Sequence, residues 1–319
     1  MEEVTVESSD LTQSQWTGLL QGLAKASNLQ TLQVEPLPPK LTLELVNLLE
    51  KASMRVTTLA LATVWPGLIE GIADRERSSV TNLDLHGVDL GNIESTALSN
   101  AFQTLTSLDI SYCQIPVNHL QSLLLGFYDT SCCLLELNLE GVENLKNAPP
   151  TCLSRLGKLD KLNLSNTELS INHYREYFAE IMSDRQTKSR ASKYPLELSL
   201  CSEQAISSLP PYVYHVFVKV RVLNISNLSL KPDRLVRIFK LLADENNWAN
   251  LEELVICDTP LDSLDQELLV DGVLNLMLRK ANIARFSVIL LNLEILVYHD
   301  TVLCASDIWL QSSIPSGAV

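Results

Sequence analysis

Five histidines and seven cysteines are the residues of this 319-residue chain best suited to nucleophilic, acid–base or metal chemistry, and their spacing supports none of it. His86, His119, His173, His215 and His299 form no HExxH pair, no GxSxG elbow offers a serine nucleophile, and eleven glycines build no phosphate-cradling loop. The cysteines (113, 132, 133, 152, 201, 257 and 304) are odd in number, and none sits in a CxxC or at zinc-ligand spacing. Cys132-Cys133 reads as the start of a strand rather than a redox pair. Reduced, mostly buried thiols are expected, as in a cytoplasmic or nuclear protein. The sequence therefore predicts a non-catalytic chain with no cofactor, no metal and no small-molecule substrate.

What remains is the chemistry of recognition. Asp84, His86, Asp109, Tyr112, Glu136, Asn138, Glu140 and Asn163 recur at related positions of a repeated pattern. Hydrogen-bonding and acidic side chains around one aromatic suit a partner that exposes Arg or Lys, with binding weakened by salt. The net charge of −14 and a pI near 4.8 point the same way. They exclude non-specific nucleic-acid binding, which needs clustered cations to neutralise phosphates. The start, MEEVTVESSD, is acidic and polar, unlike a secretory signal or transit peptide. The longest apolar stretch, Phe286 to Tyr298, is interrupted by Asn292 and Glu294 and is too short to span a bilayer. The Asn-x-Ser sequons at Asn163, Asn224 and Asn227 then read as chance matches.

The elements that position these residues follow from the pattern L-x-x-L-x-L. Its clearest copies begin at Leu105 (LTSLDISYCQI) and Leu159 (LDKLNLSNTEL), with others at Val80, Leu134, Val220 and Leu251. Weaker copies begin at Leu29, Val56, Pro195 and Leu293, making ten. The steps between copies run from 24 to 31 residues, apart from two longer ones of 36 and 42. The last two apolar positions of the motif are two apart, so they share one face of a short strand. Between motifs, apolar residues recur at three- and four-residue spacing, as in Leu41–Leu49, Val117–Tyr128, Tyr174–Met182 and Leu235–Leu242. Neither strand nor helix can bury its apolar side alone, and stacking the repeats buries both.

These motifs resemble the long-repeat, ribonuclease-inhibitor-like class of leucine-rich-repeat proteins, over roughly residues 29–303. The resemblance implies an α/β fold: a leucine-rich-repeat solenoid, or horseshoe, with a parallel concave sheet and a helical convex face. It implies a protein–protein interaction scaffold that binds its partner on the concave face. The family favours Asn or Cys at the ninth motif position. Here Cys113 fits, Thr167, Thr259 and Thr301 could substitute, and Val64, Val88, Val142 and Leu228 cannot hydrogen-bond.

On that face the fifth motif position reads Gln33, Ala60, Asp84, Asp109, Asn138, Asn163, Ser199, Asn224, Val255, Val297. The seventh adds His86, Ser111, Glu140 and Ser165, and the third adds Asn82, Ser107, Glu136 and Lys161. Repeats three to six thus present an acidic patch, either a partner site or an ordinary solvated face. Toward the C-terminal end Val222, Val255, Ile295 and Val297 make the same face apolar. Around this array, residues 1–28 are expected to be a disordered start plus an amphipathic capping helix, Leu11–Ala26, capped by Ser8-Ser9-Asp10. Insertions fall near 183–193, a basic Ser/Thr-bearing loop that is either solvated or regulatory, and near 262–285. Residues 304–319 read as a tail. Residues 37–65 also resemble an F-box through Leu37-Pro38, Leu41, Leu45-Val46, Leu49 and Trp65, which would imply a substrate receptor of a cullin ubiquitin ligase. Strands at 32–34 and 59–61 favour plain repeats over that reading, whereas three packed helices would favour it. A third possibility is a free-standing sensor or regulatory module akin to the repeats of NOD-like receptors.

Overall fold

The computed structural model describes residues 3–7, 11–26, 28–35, 39–65 except 51–55, 67–73, 78–126 except 102, 132–183, 195–210, 213–217 and 219–228, short helical pieces within 234–241, and strands at 253–255, 287–289, 295–298 and 301–304. The chain divides into two compact units, Met1–Leu209 and Pro210–Val319.

In the first unit eight strands pair in parallel, each with the next: β1 (Glu3–Glu7), β2 (Thr31–Glu35), β3 (Thr58–Leu61), β4 (Asn82–Asp84), β5 (Ser107–Asp109), β6 (Glu136–Asn138), β7 (Lys161–Asn163) and β8 (Glu197–Ser199). Helices α1 (Gln13–Leu23), α2 (Thr42–Glu50), α3 (Leu68–Ala73), α4 (Ser95–Ala101), α5 (Val117–Gly126) and α6 (Ile171–Ser183) lie in the connections. The motif explains the alternation. Its fourth-position leucines (Leu32, Leu59, Leu83, Leu108, Leu137, Leu162, Leu198) are buried, as are its sixth-position residues from Val34 to Leu200. Their strand neighbours at positions three and five are half-exposed on the opposite face. The helices close the apolar layer with Trp16 and Leu20, Leu45 and Leu49, Ile69 and Ile72, Leu120 and Leu124, and Tyr174, Tyr177 and Phe178. Each fully buried Leu contributes about 1.5–3 kcal/mol of transfer free energy, so the spacing of leucines dictates the layering.

Several expectations are corrected. The start is not loose at 3–7, because Val4 and Val6 continue the columns of Leu32 and Val34 in strand β1. The V-x-V pattern flanked by Glu fills the fourth and sixth positions of the motif, which suffices for pairing with β2. The cap of α1 is Thr12, not residues 8–10: its hydroxyl accepts from Gln15 N while the Gln15 side chain accepts from Thr12 N, a reciprocal box. The expected helical layer is also interrupted. The β6–β7 connection runs through 3₁₀ turns, Glu143–Asn147 and Pro150–Lys158, and the turn after β8 is the 3₁₀ segment Gln204–Ser208. Pro149-Pro150 and Pro210-Pro211 withhold the backbone donors that a longer α-helix needs.

Residues 37–65 contain α2 and end in β3, with Leu59 and Leu61 buried as repeat leucines. Among the described residues this is the strand–helix–strand order of ordinary repeats rather than three packed helices.

The second unit holds helix α7 (Tyr214–Phe217) and strands β9 (Val222–Asn224), β10 (Glu253–Val255), β11 (Ser287–Ile289), β12 (Ile295–Tyr298) and β13 (Thr301–Cys304). β9, β10 and β11 are parallel neighbours. The motif at Leu293 does form a strand, but β12 runs antiparallel to β11 and to β13. Five residues separate β11 from β12 and two separate β12 from β13; links this short close hairpins, whereas a parallel crossover takes a dozen residues or more. Val255 therefore continues into Ile289, and Val297 faces Val288 instead. Most of 235–242, the insertions at 184–194 and 262–285, and residues 305–319 lie outside the described residues, as do the side chains of Ile295 and Val297.

Candidate functional site

The fifth-position column is built as its spacing predicts. Gln33, Ala60, Asp84, Asp109, Asn138, Asn163 and Ser199 are register partners on consecutive strands β2 to β8. Their Asp and Asn side chains, however, have a local duty. Asp84 Oδ1 accepts from His86 N at 2.9 Å, Asp109 Oδ1 from Ser111 N at 2.8 Å, Asn138 Oδ1 from Glu140 N at 3.1 Å and Asn163 Oδ1 from Ser165 N at 3.0 Å. Asn224 does the same for Ser226 N. Strands β4, β5, β6, β7 and β9 thus end in an Asx turn, a hydrogen bond that Asp and Asn make equally well.

The eighth-position residue that follows these turns, and Ser202 after β8, lies in the left-handed region: Gly87, Tyr112, Gly141, Asn166, Ser202 and Asn227, with φ from 55° to 72°. In the first four the backbone N–H donates to the seventh-position carbonyl of the next repeat, prolonging the ladder beyond the strand. Gly and Asn are the usual occupants of this conformation. Tyr112 is the bulky exception, and it is 49% exposed.

Around Tyr112 the structure gathers several of the predicted residues. Its hydroxyl donates to Glu140 Oε1 at 2.8 Å, which also accepts from Asn166 Nδ2 at 3.1 Å. Glu140 Oε2 accepts from Asn163 Nδ2 at 3.0 Å. That hydrogen bond to Glu140, ahead of partial burial, raises the Tyr112 phenol above its ordinary pKa. A Cβ added to Gly141 would overlap the Tyr112 Cδ1 and Cε1 atoms, so the ring lies directly against that turn. The His86 ring meets Tyr112 edge-on, centroids 5.4 Å apart, while its Nδ1 bonds Ser111 Oγ at 2.8 Å. Asp109 accepts Asn138 Nδ2 at 2.7 Å through its other oxygen.

Glu136 belongs to a separate group: Lys161 Nζ sits 3.2 Å from Glu136 and 3.6 Å from Glu197, across three strands. The hydrogen bond to Glu136 is the main reason the Lys161 ammonium holds its proton above its usual range. By contrast, the partners given to Asp84, Asp109 and Glu140 among the described residues are neutral N–H and O–H donors. Ser111 and Ser165, expected on the exposed face, are buried within it; Ser165 bonds Ser199 Oγ and Cys201 N. Val222 and Val255 are half-exposed as expected.

One residue escaped the sequence reading altogether. Glu203 occupies the ninth position of its repeat, only 1% exposed. Its Oε1 accepts from Thr167 N at 2.6 Å, Glu168 N at 2.9 Å and Thr167 Oγ1 at 3.1 Å, and its Oε2 from Leu169 N at 3.1 Å. The carboxylate ties the preceding repeat's turn to its own. Cys113 and Thr167, the ninth-position residues expected to satisfy backbone, donate to the carbonyls of Leu85 and Leu164. Burial pushes the Cys113 thiol up to about 12.

Among the described residues no three His, Cys, Asp or Glu group as a metal site, and no helix is long and apolar enough to cross a membrane. No protein family and no curated protein matches the chain.

Proposed function

We propose that the repeats are leucine-rich repeats of the ribonuclease-inhibitor-like class, stacked as a solenoid, and that the strand face of repeats three to six is a non-catalytic docking surface for a protein with a basic surface. The repeated Asx turns, the left-handed eighth positions and the in-register leucine columns support the first part. The second part rests on one observation: on the face that carries the exposed Tyr112, the carboxylates of Asp84, Asp109 and Glu140 are held, among the described residues, by neutral hydrogen-bond donors. Hydrogen bonds from neutral groups fix a carboxylate in place without cancelling its field, so the patch both orients and attracts cations. The β2–α2–β3 order weighs against the F-box alternative.

Substituting Asp84→Asn and Asp109→Asn together tests the reading, because Asn138 and Asn163 already perform the same turn with an amide and the only hydrogen bond given up is the one from Asn138 Nδ2 to Asp109. The immobilised full chain and the D84N/D109N variant are compared for retained proteins by quantitative mass spectrometry at low and high salt. A partner that is retained by the wild type, is lost from the variant and dissociates with salt is expected. Identical retention by both proteins refutes the acidic face as the docking surface.

A further inference from the structure

We propose that Tyr112 is the anchor of this face and that its occupant is an arginine of the partner, the guanidinium lying on the open side of the phenol ring with its charge toward Asp109 and Glu140. This rests on the docking reading above and names the side chain it selects.

Three features of the ring carry the inference. First, it is fixed: its hydroxyl is held by Glu140, one side lies against Gly141, and His86 meets it edge-on. A rigid aromatic loses little rotamer freedom on binding, which makes it an economical anchor. Second, the residue is 49% exposed, so this held ring is accessible to a partner. Third, a phenol that donates to a carboxylate is enriched in π-electron density, and a cation gains from the negative face of such a ring.

Charge complementarity selects a cation. The neighbouring carboxylates of Asp109 and Glu140 are bound to amide, hydroxyl and phenol donors, whereas Glu136 on β6 and Glu197 on β8 already share Lys161 on β7. Arginine is favoured over lysine because its flat guanidinium can stack on the ring while its N–H edge still reaches a carboxylate. A hydrated ammonium achieves one contact at the cost of the other.

The probes are two synthetic nonapeptide amides, (Gly-Ser-Arg)₃ and (Gly-Ser-Lys)₃, titrated into the full chain at low salt with 3-fluorotyrosine incorporated and followed by fluorine NMR. The arginine peptide is expected to bind about two- to fivefold more tightly than the lysine peptide and to shift the Tyr112 resonance, assigned by its absence in Y112N. Asn already occupies the same left-handed position at 166 and 227, so Y112N keeps the turn and removes the ring. In Y112N the two peptides are expected to bind equally. Equal binding to the wild type, with loss of both in D84N/D109N, overturns the arginine anchor and leaves the basic-partner reading standing. Failure of both peptides to bind the wild type overturns both.

Discussion

Glu140 and Glu203 are two carboxylates on the same kind of strand-to-connection turn, and they do opposite things with similar hydrogen-bonding capacity. Glu203 is buried and spends its oxygens on three consecutive backbone N–H groups and a threonine hydroxyl. Glu140 is half-exposed and spends its oxygens on the side chains of Tyr112, Asn163 and Asn166. The inward carboxylate holds the chain together. The outward one arranges a surface. In a repeat fold the face on which a charge emerges, more than its residue type, decides whether it serves stability or recognition.

The largest expected effect tests the inward half of that contrast. Glu203→Ala leaves the backbone donors of Thr167, Glu168 and Leu169 without their acceptor in a largely buried turn, while Thr167 Oγ1 keeps the Leu164 carbonyl, and such a loss costs about 3 kcal/mol or more. Denaturant unfolding of the variant should show a lower midpoint with an unchanged slope. Glu140→Ala should cost far less, since its partners can turn to water. Equal destabilisation by the two would erase the distinction.

A second effect is read from pH. Burial raises the Cys113 thiol from 9.0 to about 12 and lifts the Tyr174 and Tyr177 phenols above their usual range, with Glu203 a further cause at Tyr174. These groups are neutral when protonated. On unfolding they ionise at their ordinary values, so the unfolded state loses protons first and stability falls as pH rises from about 9 toward 12. Thermal unfolding across that range should show a steady drop. Alkylation of Cys113 in the folded chain should stay slow at pH 8, and fast labelling would mean the repeat interior opens readily.

The columns of leucines and the Asp/Asn run were legible because a period of two and a fixed repeat leave a strong imprint: Leu83, Leu108, Leu137 and Leu162 fall where the motif puts them, and Asp84 to Asn163 align strand by strand. What that run does was not legible. Asp and Asn at a strand end read as polar surface, and only the distances to His86 N, Ser111 N, Glu140 N and Ser165 N reveal a turn. Glu203 was hidden because a ninth position is searched for small donors such as Cys113 and Thr167, and a charged residue there looks misplaced until its four partners are seen. The left-handed eighth position was masked by Tyr112 and Ser202 breaking a Gly/Asn pattern. The antiparallel β12 could not be told from a tenth repeat, since L-x-x-L-x-L specifies a strand and a buried face but not its direction.

A third, smaller effect probes the outward half. Gly141→Ala adds a Cβ that overlaps the Tyr112 ring at a residue with φ of 65°, and should cost about 2 kcal/mol from overlap and left-handed strain together. In a Y112N background the overlap disappears and about 1 kcal/mol of strain should remain. A double-mutant cycle from chemical denaturation measures the difference, and zero coupling would mean the ring does not rest on that turn.

The smallest effect is the most discriminating for the face itself. Asp109→Ala removes the acceptor for Ser111 N and Oγ and for Asn138 Nδ2, and should cost about 1–2 kcal/mol. D84N/D109N keeps an oxygen at both turns and gives up only the bond from Asn138 Nδ2, because the amide nitrogen introduced at position 109 cannot accept it; the variant should lose about 0.5–1 kcal/mol. If Asn is as costly as Ala, the charge itself is structural and these aspartates belong with Glu203. If Asn costs no more than that one hydrogen bond yet abolishes capture of a basic partner, the negative charge at 84 and 109 has no role in folding, and recognition is what remains to account for it.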